Sequence, residues 1–180
     1  MRQNFLNPSS ISLKPLPIFY LPPGYRLSHI LSPPPEELDK FVQQLQEQIH
    51  EESRKAYGEK AFERWLNPQW MGALEDADGW GRIVGSCGDA MEIFLKFENN
   101  RVKEASFRTS GCGASVACGS FAAEMAIGKS PDELLHVTAE AILETLGGLP
   151  QQEEHCAQLA SETLQEALHS YMIVQTRKGG

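Results

Sequence analysis

No run of about 18 apolar residues occurs anywhere in the 180-residue chain, so no segment of it is expected to cross a membrane. Positive charge is scarce as well: 16 Lys and Arg stand against 24 Asp and Glu, for a net charge of −8. A nucleic-acid binder needs a basic face to neutralise phosphates, and none is evident, so nucleic acid is not expected as a partner. A secretory signal would need an unbroken apolar stretch of about 7 to 15 residues. The candidate at Ile18–Leu21 is interrupted by Pro15, Pro17, Pro22 and Pro23. The four cysteines, Cys87, Cys112, Cys118 and Cys156, should therefore stay reduced rather than pair as disulfides. No Cys-x-x-Cys pair is present, which removes the usual knuckle of a permanent zinc staple.

What is present divides the chain in two. Residues 1–35 hold Arg2, Lys14 and Arg26, no acid, and eight of the eleven prolines. Neither a helix nor a central strand can run through so many prolines, and the segment reads as an extended tail. Its acid-free, serine-containing composition keeps a mitochondrial matrix location as the alternative to a cytoplasmic one. The remainder carries −11 and 41% of the whole chain is apolar, enough for a packed core.

After Pro35, Leu38, Phe41, Val42, Leu45 and Ile49 recur at helical spacing and mark an amphipathic helical extension over residues 36–56. The helix is expected to continue weakly through Gly58 to Asn67-Pro68. From Gly79 the period changes to two: Gly81 to Gly85 is one short strand, and Ala90 to Phe97 alternates Met91, Ile93, Leu95 and Phe97 against polar neighbours. Glu98-Asn99-Asn100 supplies turn chemistry before Val102 to Thr109, so these two strands should form an antiparallel hairpin. Helices follow: Ala114 to Ile127, closed by Gly128; one opened by the capping-box pattern Ser130-Pro131-Asp132-Glu133; a short one ending at Gly147-Gly148; and a last one from near Gln152 to about Met172. The fold class is α+β, a small sheet packed against several helices. Trp65, Trp70 and Trp80 read as packing anchors around the sheet.

Chemistry concentrates at three turns. In Gly85-Ser86-Cys87-Gly88-Asp89, Gly88 lets the backbone bend so that a thiolate and a carboxylate converge. Cys112 lies between two glycines ahead of a helix, and Cys156 lies in the first turn of the last helix beside His155. A helix N-terminus favours thiolate over thiol, so both are expected to be reactive. Three soft sulfurs with an oxygen or an imidazole suit zinc, copper(I) or an iron-sulfur centre. The harder oxygen of Asp89 would weaken the hold on a cluster, which suits cargo that must leave. Cys118, within a helix, reads as buried packing.

These motifs resemble the U-type iron-sulfur scaffold family, that is, IscU and the N-terminal domain of NifU. The resemblance runs from Tyr57-Gly58-Glu59-Lys60 through Asn67-Pro68, Gly85-Ser86-Cys87-Gly88-Asp89, Phe107-Arg108-Thr109-Ser110-Gly111-Cys112-Gly113 and Gly128-Lys129-Ser130 to Leu149-Pro150 and His155-Cys156-Ala157. It implies a three-stranded antiparallel sheet packed on helices, with a scaffold domain over residues 57–175 and a short tail at 176–180. It also implies a function: to accept persulfide sulfur from a cysteine desulfurase, build a [2Fe-2S] cluster from it with iron, and pass the cluster to apo iron-sulfur proteins with help from an Hsp70-type chaperone. Zinc is the alternative occupant. By position Cys87, Asp89, Cys112 and Cys156 carry over as ligands, His155 as an alternate ligand, and Cys156 or Cys112 as persulfide acceptor. The chain would be a scaffold and carrier rather than an enzyme.

Three departures stand out. The family's chaperone-binding Leu-Pro-Pro-Val-Lys reads here Leu149-Pro150-Gln151-Gln152-Glu153, with an acid for the lysine, which puts chaperone recognition in question. Cys118 stands where the family more often has serine. The N-terminal helix and tail have no counterpart in minimal members and could serve self-association into a homo-oligomer or shield the site. Among rivals, the zinc-dependent SUF-type branch typically lacks the histidine and carries an insertion between its second and third cysteines. A zinc hydrolase or deaminase would need a His-x-Glu plus Cys-x-x-Cys pattern that is absent. A structural zinc domain would unfold on chelation.

Overall fold

The computed structural model describes residues 35–178. The tail expected before them lies outside the described residues, as do residues 179 and 180. The chain divides into two units after Val42. The described part of the first unit is the opening of helix α1 (Pro35–Tyr57), where Leu38, Phe41 and Val42 are exposed.

In the second unit α1 continues with Leu45 and Ile49 also exposed. Gly58, at φ 78, separates α1 from α2 (Glu59–Leu66), so the expected weak continuation is in fact two helices. Helix α2 buries Ala61 and Phe62. Three strands follow, β1 (Gly79–Val84), β2 (Ala90–Glu98) and β3 (Arg101–Thr109), paired antiparallel in that order, as expected. Asn99 and Asn100 both take left-handed φ, 53 and 60, the backbone a two-residue type I′ turn requires and asparagine tolerates. Ile93 sits opposite Gly81 on one side and Phe107 on the other.

Period two decides what the sheet buries. Met91, Ile93 and Leu95 point to one face and are fully buried, together with Phe107 and Ala105 of β3. Each large apolar side chain so buried is worth about 1.5–3 kcal/mol. That face is covered by α3 (Gly113–Ala126) and α6 (His155–Lys178). Helix α3 is rich in alanine and nearly buried all round, Cys118 included, so Cys118 is a core residue as expected. Helix α6 contributes Leu159, Leu164, Ala167, Leu168 and Tyr171, and Tyr171 stacks on Phe97 with ring centroids 3.7 Å apart. Its approach to β1 is so close that a Cβ on Gly81 would lie 2.5 Å from the Ala167 nitrogen and 2.6 Å from the Thr163 carbonyl oxygen. Only glycine allows that spacing.

Helices α4 (Pro131–Leu134) and α5 (Ala139–Leu146) bridge α3 and α6. The Ser130–Glu133 capping box forms in both directions, and Gly147 ends α5 in the left-handed conformation. Helix α6 starts later and runs further than expected, because Gln151–Glu153 forms a separate 3₁₀ turn and nothing from Ile173 to Lys178 stops a helix. The tryptophans, expected as packing anchors around the sheet, are 36% (Trp65), 46% (Trp70) and 47% (Trp80) exposed and stand at its rim. Trp80 alternates with Gly79 and Gly81, which face α6, so it must face away. No described helix is long and apolar enough to cross a membrane.

Candidate metal and sulfur site

The fold brings three chain segments together at one end of the sheet. The β1–β2 connection closes with Gly88 N–H donating to the Gly85 carbonyl (3.0 Å) and Gly85 N–H donating to the Asp89 carbonyl (2.8 Å). Gly88 takes φ 88, the left-handed geometry that a side chain would resist. Opposite it, the β3–α3 turn is fixed to the same strand end: Ser110 N–H donates to the Ala90 carbonyl (3.0 Å) and Ala90 N–H to Ser110 Oγ (3.1 Å). That places Cys112 as the N-cap of α3, exposed. The third segment is the start of α6, carrying His155 and Cys156, the latter with no exposed surface.

Ser115, buried in the first turn of α3, links the segments. Its Oγ lies 2.9 Å from Asp89 Oδ2, 3.4 Å from Cys156 Sγ and 4.0 Å from Cys112 Sγ. His155 Nδ1 is 2.7 Å from the Gln152 carbonyl oxygen. A carbonyl only accepts, so Nδ1 carries a proton, and Nε2 faces Cys156 Sγ at 3.6 Å. Glu153 completes the cluster: its Oε2 is 3.6 Å from Cys112 Sγ and 3.8 Å from Cys156 Sγ. Donor atoms of Cys112, Glu153 and Cys156 all fall within 4.8 Å of one another.

Of the residues singled out in the sequence, Cys112 and Cys156 are thus brought into mutual reach, His155 adjoins Cys156, and Asp89 joins them through Ser115. Cys87 is exposed on its turn and is not in the group of donors within 4.8 Å. Glu153 and Ser115 were not anticipated as members of the site. An acid two residues before His-Cys was the available signal for Glu153; a serine in a mostly apolar helix gave little signal for Ser115.

Electrostatics corrects one expectation. Helix N-terminal position was expected to favour the Cys156 thiolate, but burial dominates and pushes its thiol up to about 12, against a smaller opposing effect from the Ser115 hydrogen bond. Burial likewise pushes the Cys118 thiol far up, as fits a core residue. Tyr57 is raised by partial burial and then by the negative groups near it, Glu153 first and the sulfurs of Cys112 and Cys156 after it. Its hydroxyl therefore also borders the cluster. Sulfur, carboxylate and imidazole donors at these separations suit a borderline-soft ion, because a tetrahedral centre with about 2.3 Å to sulfur and about 2.0–2.2 Å to oxygen holds the two roughly 3.5 Å apart.

The model of the NifU-like N-terminal domain family matches residues 56–178 of this chain. The chain belongs to that family. This NifU-like chain is 43% identical over 125 residues to the iron-sulfur cluster assembly scaffold protein IscU 1 of Archaeoglobus fulgidus, covering 69% of this chain and 79% of that one. It is 42% identical over 124 residues to the iron-sulfur cluster assembly scaffold protein IscU of Aquifex aeolicus, covering 67% and 79%. It is 37% identical over 128 residues to the iron-sulfur cluster assembly enzyme IscU of Drosophila melanogaster, covering 68% and 82%. In fold it is similar to the N-terminal part of a NifU-like protein from Brucella abortus, with a TM-score of 0.54 at 18% identity over 67% of this chain and 96% of that one.

Proposed function

We propose that this chain is a scaffold on which an iron-sulfur cluster, [2Fe-2S], is assembled and from which it is passed to apoproteins. The observation that carries the reading is the convergence of Cys112, Cys156, His155 and, through Ser115, Asp89 from three chain segments at one sheet end. Relatives more than 40% identical bear the name of iron-sulfur cluster assembly scaffold, which supports it. Cys87, Asp89, Cys112 and Cys156 are the proposed cluster ligands and His155 the alternate one, with zinc as the alternative occupant when no cluster is present.

Iron and sulfur are the cargo. A cysteine desulfurase is the proposed sulfur source. Cys112 is better suited than Cys156 to meet it first, because Cys112 is exposed while the Cys156 sulfur is buried and holds its proton. In that step the Cys112 thiolate attacks the outer sulfur of the donor persulfide; a new S–S bond forms, the old one breaks, and the donor cysteine leaves as thiolate. Two further electrons per sulfur, from an external reductant, are needed to reach sulfide. The proposed chaperone contact is the segment Leu149–Glu153, whose altered charge predicts a weakened Hsp70-type interaction.

Anaerobic reconstitution of the full chain with ferrous iron and sulfide tests the reading by visible absorption and Mössbauer spectroscopy. A [2Fe-2S] signature that a chelator removes faster from wild type than from Asp89→Ala is expected. Stoichiometric zinc with no charge-transfer absorbance after reconstitution would overturn the proposal.

A further inference from the structure

Glu153 has no role in the ligand set above, although its carboxylate lies within 3.8 Å of both converging sulfurs. The geometry points to Glu153 as a metal ligand in its own right: with Cys112 and Cys156 it forms a three-donor seat for one divalent first-row cation, ferrous iron or zinc, that is complete without Cys87. The inference rests on the scaffold reading above and adds to it a carboxylate ligand.

Distance is the first support. Glu153 Oε2 stands 3.6 Å and 3.8 Å from the two sulfurs, close to the roughly 3.5 Å that a tetrahedral ion imposes between a sulfur and an oxygen ligand. Little rearrangement is needed. Rigidity is the second: the Glu153 N–H donates to the Pro150 carbonyl at 2.7 Å, closing the 3₁₀ turn immediately before α6, so the carboxylate springs from the same ordered segment as Cys156. Direction is the third. A glutamate at the surface would ordinarily extend into water, yet this one turns inward and accepts from both thiols.

The proton balance is simple. Each thiol now points its hydrogen at the carboxylate; when a dication enters, two protons leave and two thiolates and the carboxylate take the ion, for a local charge of −1. His155 Nε2, 3.6 Å from Cys156 Sγ but outside the three-donor group, would supply a fourth donor by turning toward the ion. One oxygen among the sulfurs tilts the seat from copper(I) toward ferrous iron and zinc. Entry is from the side of Cys112, the exposed member.

The test uses the full metal-free chain under anaerobic conditions, titrated with cobalt(II), whose sulfur-to-metal charge-transfer and visible bands report thiolate ligation and tetrahedral geometry. Wild type and Cys87→Ser are expected to bind one cobalt with affinities within about threefold of each other, and Glu153→Gln to bind at least tenfold more weakly, with circular dichroism unchanged. Equal affinity and equal band intensities in Glu153→Gln and wild type would overturn the role of Glu153, and so would loss of cobalt binding in Cys87→Ser. X-ray absorption of the one-zinc wild type needs no variant: two sulfur scatterers with a light-atom shell are expected, and three sulfurs would refute the seat. Failure of wild type itself to bind any cobalt would instead sink the scaffold reading on which the inference rests.

Discussion

The contact between β1 and α6 makes Gly81→Ala the sharpest test of how the fold positions the site. Gly81 has an ordinary φ, so the substitution introduces no backbone strain and, in open space, would stabilise by about 0.4–1 kcal/mol by restricting the unfolded chain. The added Cβ, however, would meet the Ala167 nitrogen at 2.5 Å and the Thr163 oxygen at 2.6 Å, well inside the 3.4 Å at which ordinary contact begins. Both are helix backbone atoms and neither can rotate aside. Overpacking of this kind costs about 1–3 kcal/mol, and the upper figure applies where the obstacle is backbone. A net loss of about 2 kcal/mol follows, or roughly 6–8 °C in Tm for a domain of this size. Thermal unfolding of the metal-free chain followed by circular dichroism measures it. Since α6 must back away from the sheet, and α6 carries Cys156, alkylation of Cys156 in the folded variant should also accelerate. A Tm equal to or above that of wild type would refute the packing argument.

Other outcomes can be checked with equal directness. In the folded, metal-free chain, iodoacetamide should modify exposed Cys87 and Cys112 well before Cys156, and Cys118 last, as read by mass spectrometry over time. Leu164→Ala, which empties a fully buried position of α6, should cost about 2–5 kcal/mol and lower the denaturant midpoint with an unchanged slope. Glu133 is held below the usual carboxylate range, by the Ser130 N–H first and by Arg101 after it. A lowered folded value gives stability that is present above the unfolded carboxylate range and lost as pH falls through the folded one. The Tm deficit of Glu133→Ala should therefore be visible at neutral pH and vanish in strong acid.

Much of the fold could be read from local chemistry because local chemistry decided it. Asn99-Asn100 permits the left-handed turn, Ser130 with Glu133 closes a capping box, and Met91, Ile93 and Leu95 alternate because one sheet face is buried and the other is not. The rest depended on tertiary surroundings. The face of β1 that Trp80 occupies was not legible, because it is set by its neighbours Gly79 and Gly81, which are the ones turned to α6. Cys156 sits at a helix start in the sequence, which argues for a reactive thiolate; only the fold shows that the sulfur is enclosed, and enclosure outweighs the helix. Glu153 belongs to the same category. Its sequence position suggests a changed surface charge, whereas its side chain turns back onto the two sulfurs.

The Ser115 hydroxyl owns a single hydrogen and faces two acceptors, Asp89 at 2.9 Å and the sulfur of Cys156 at 3.4 Å. At those distances the carboxylate has the better claim. Drawing Asp89 away toward a bound ion would release that hydrogen to the sulfur, so an event at the β1–β2 turn would be registered at the head of α6 by the swing of one O–H bond, with every helix and strand at rest.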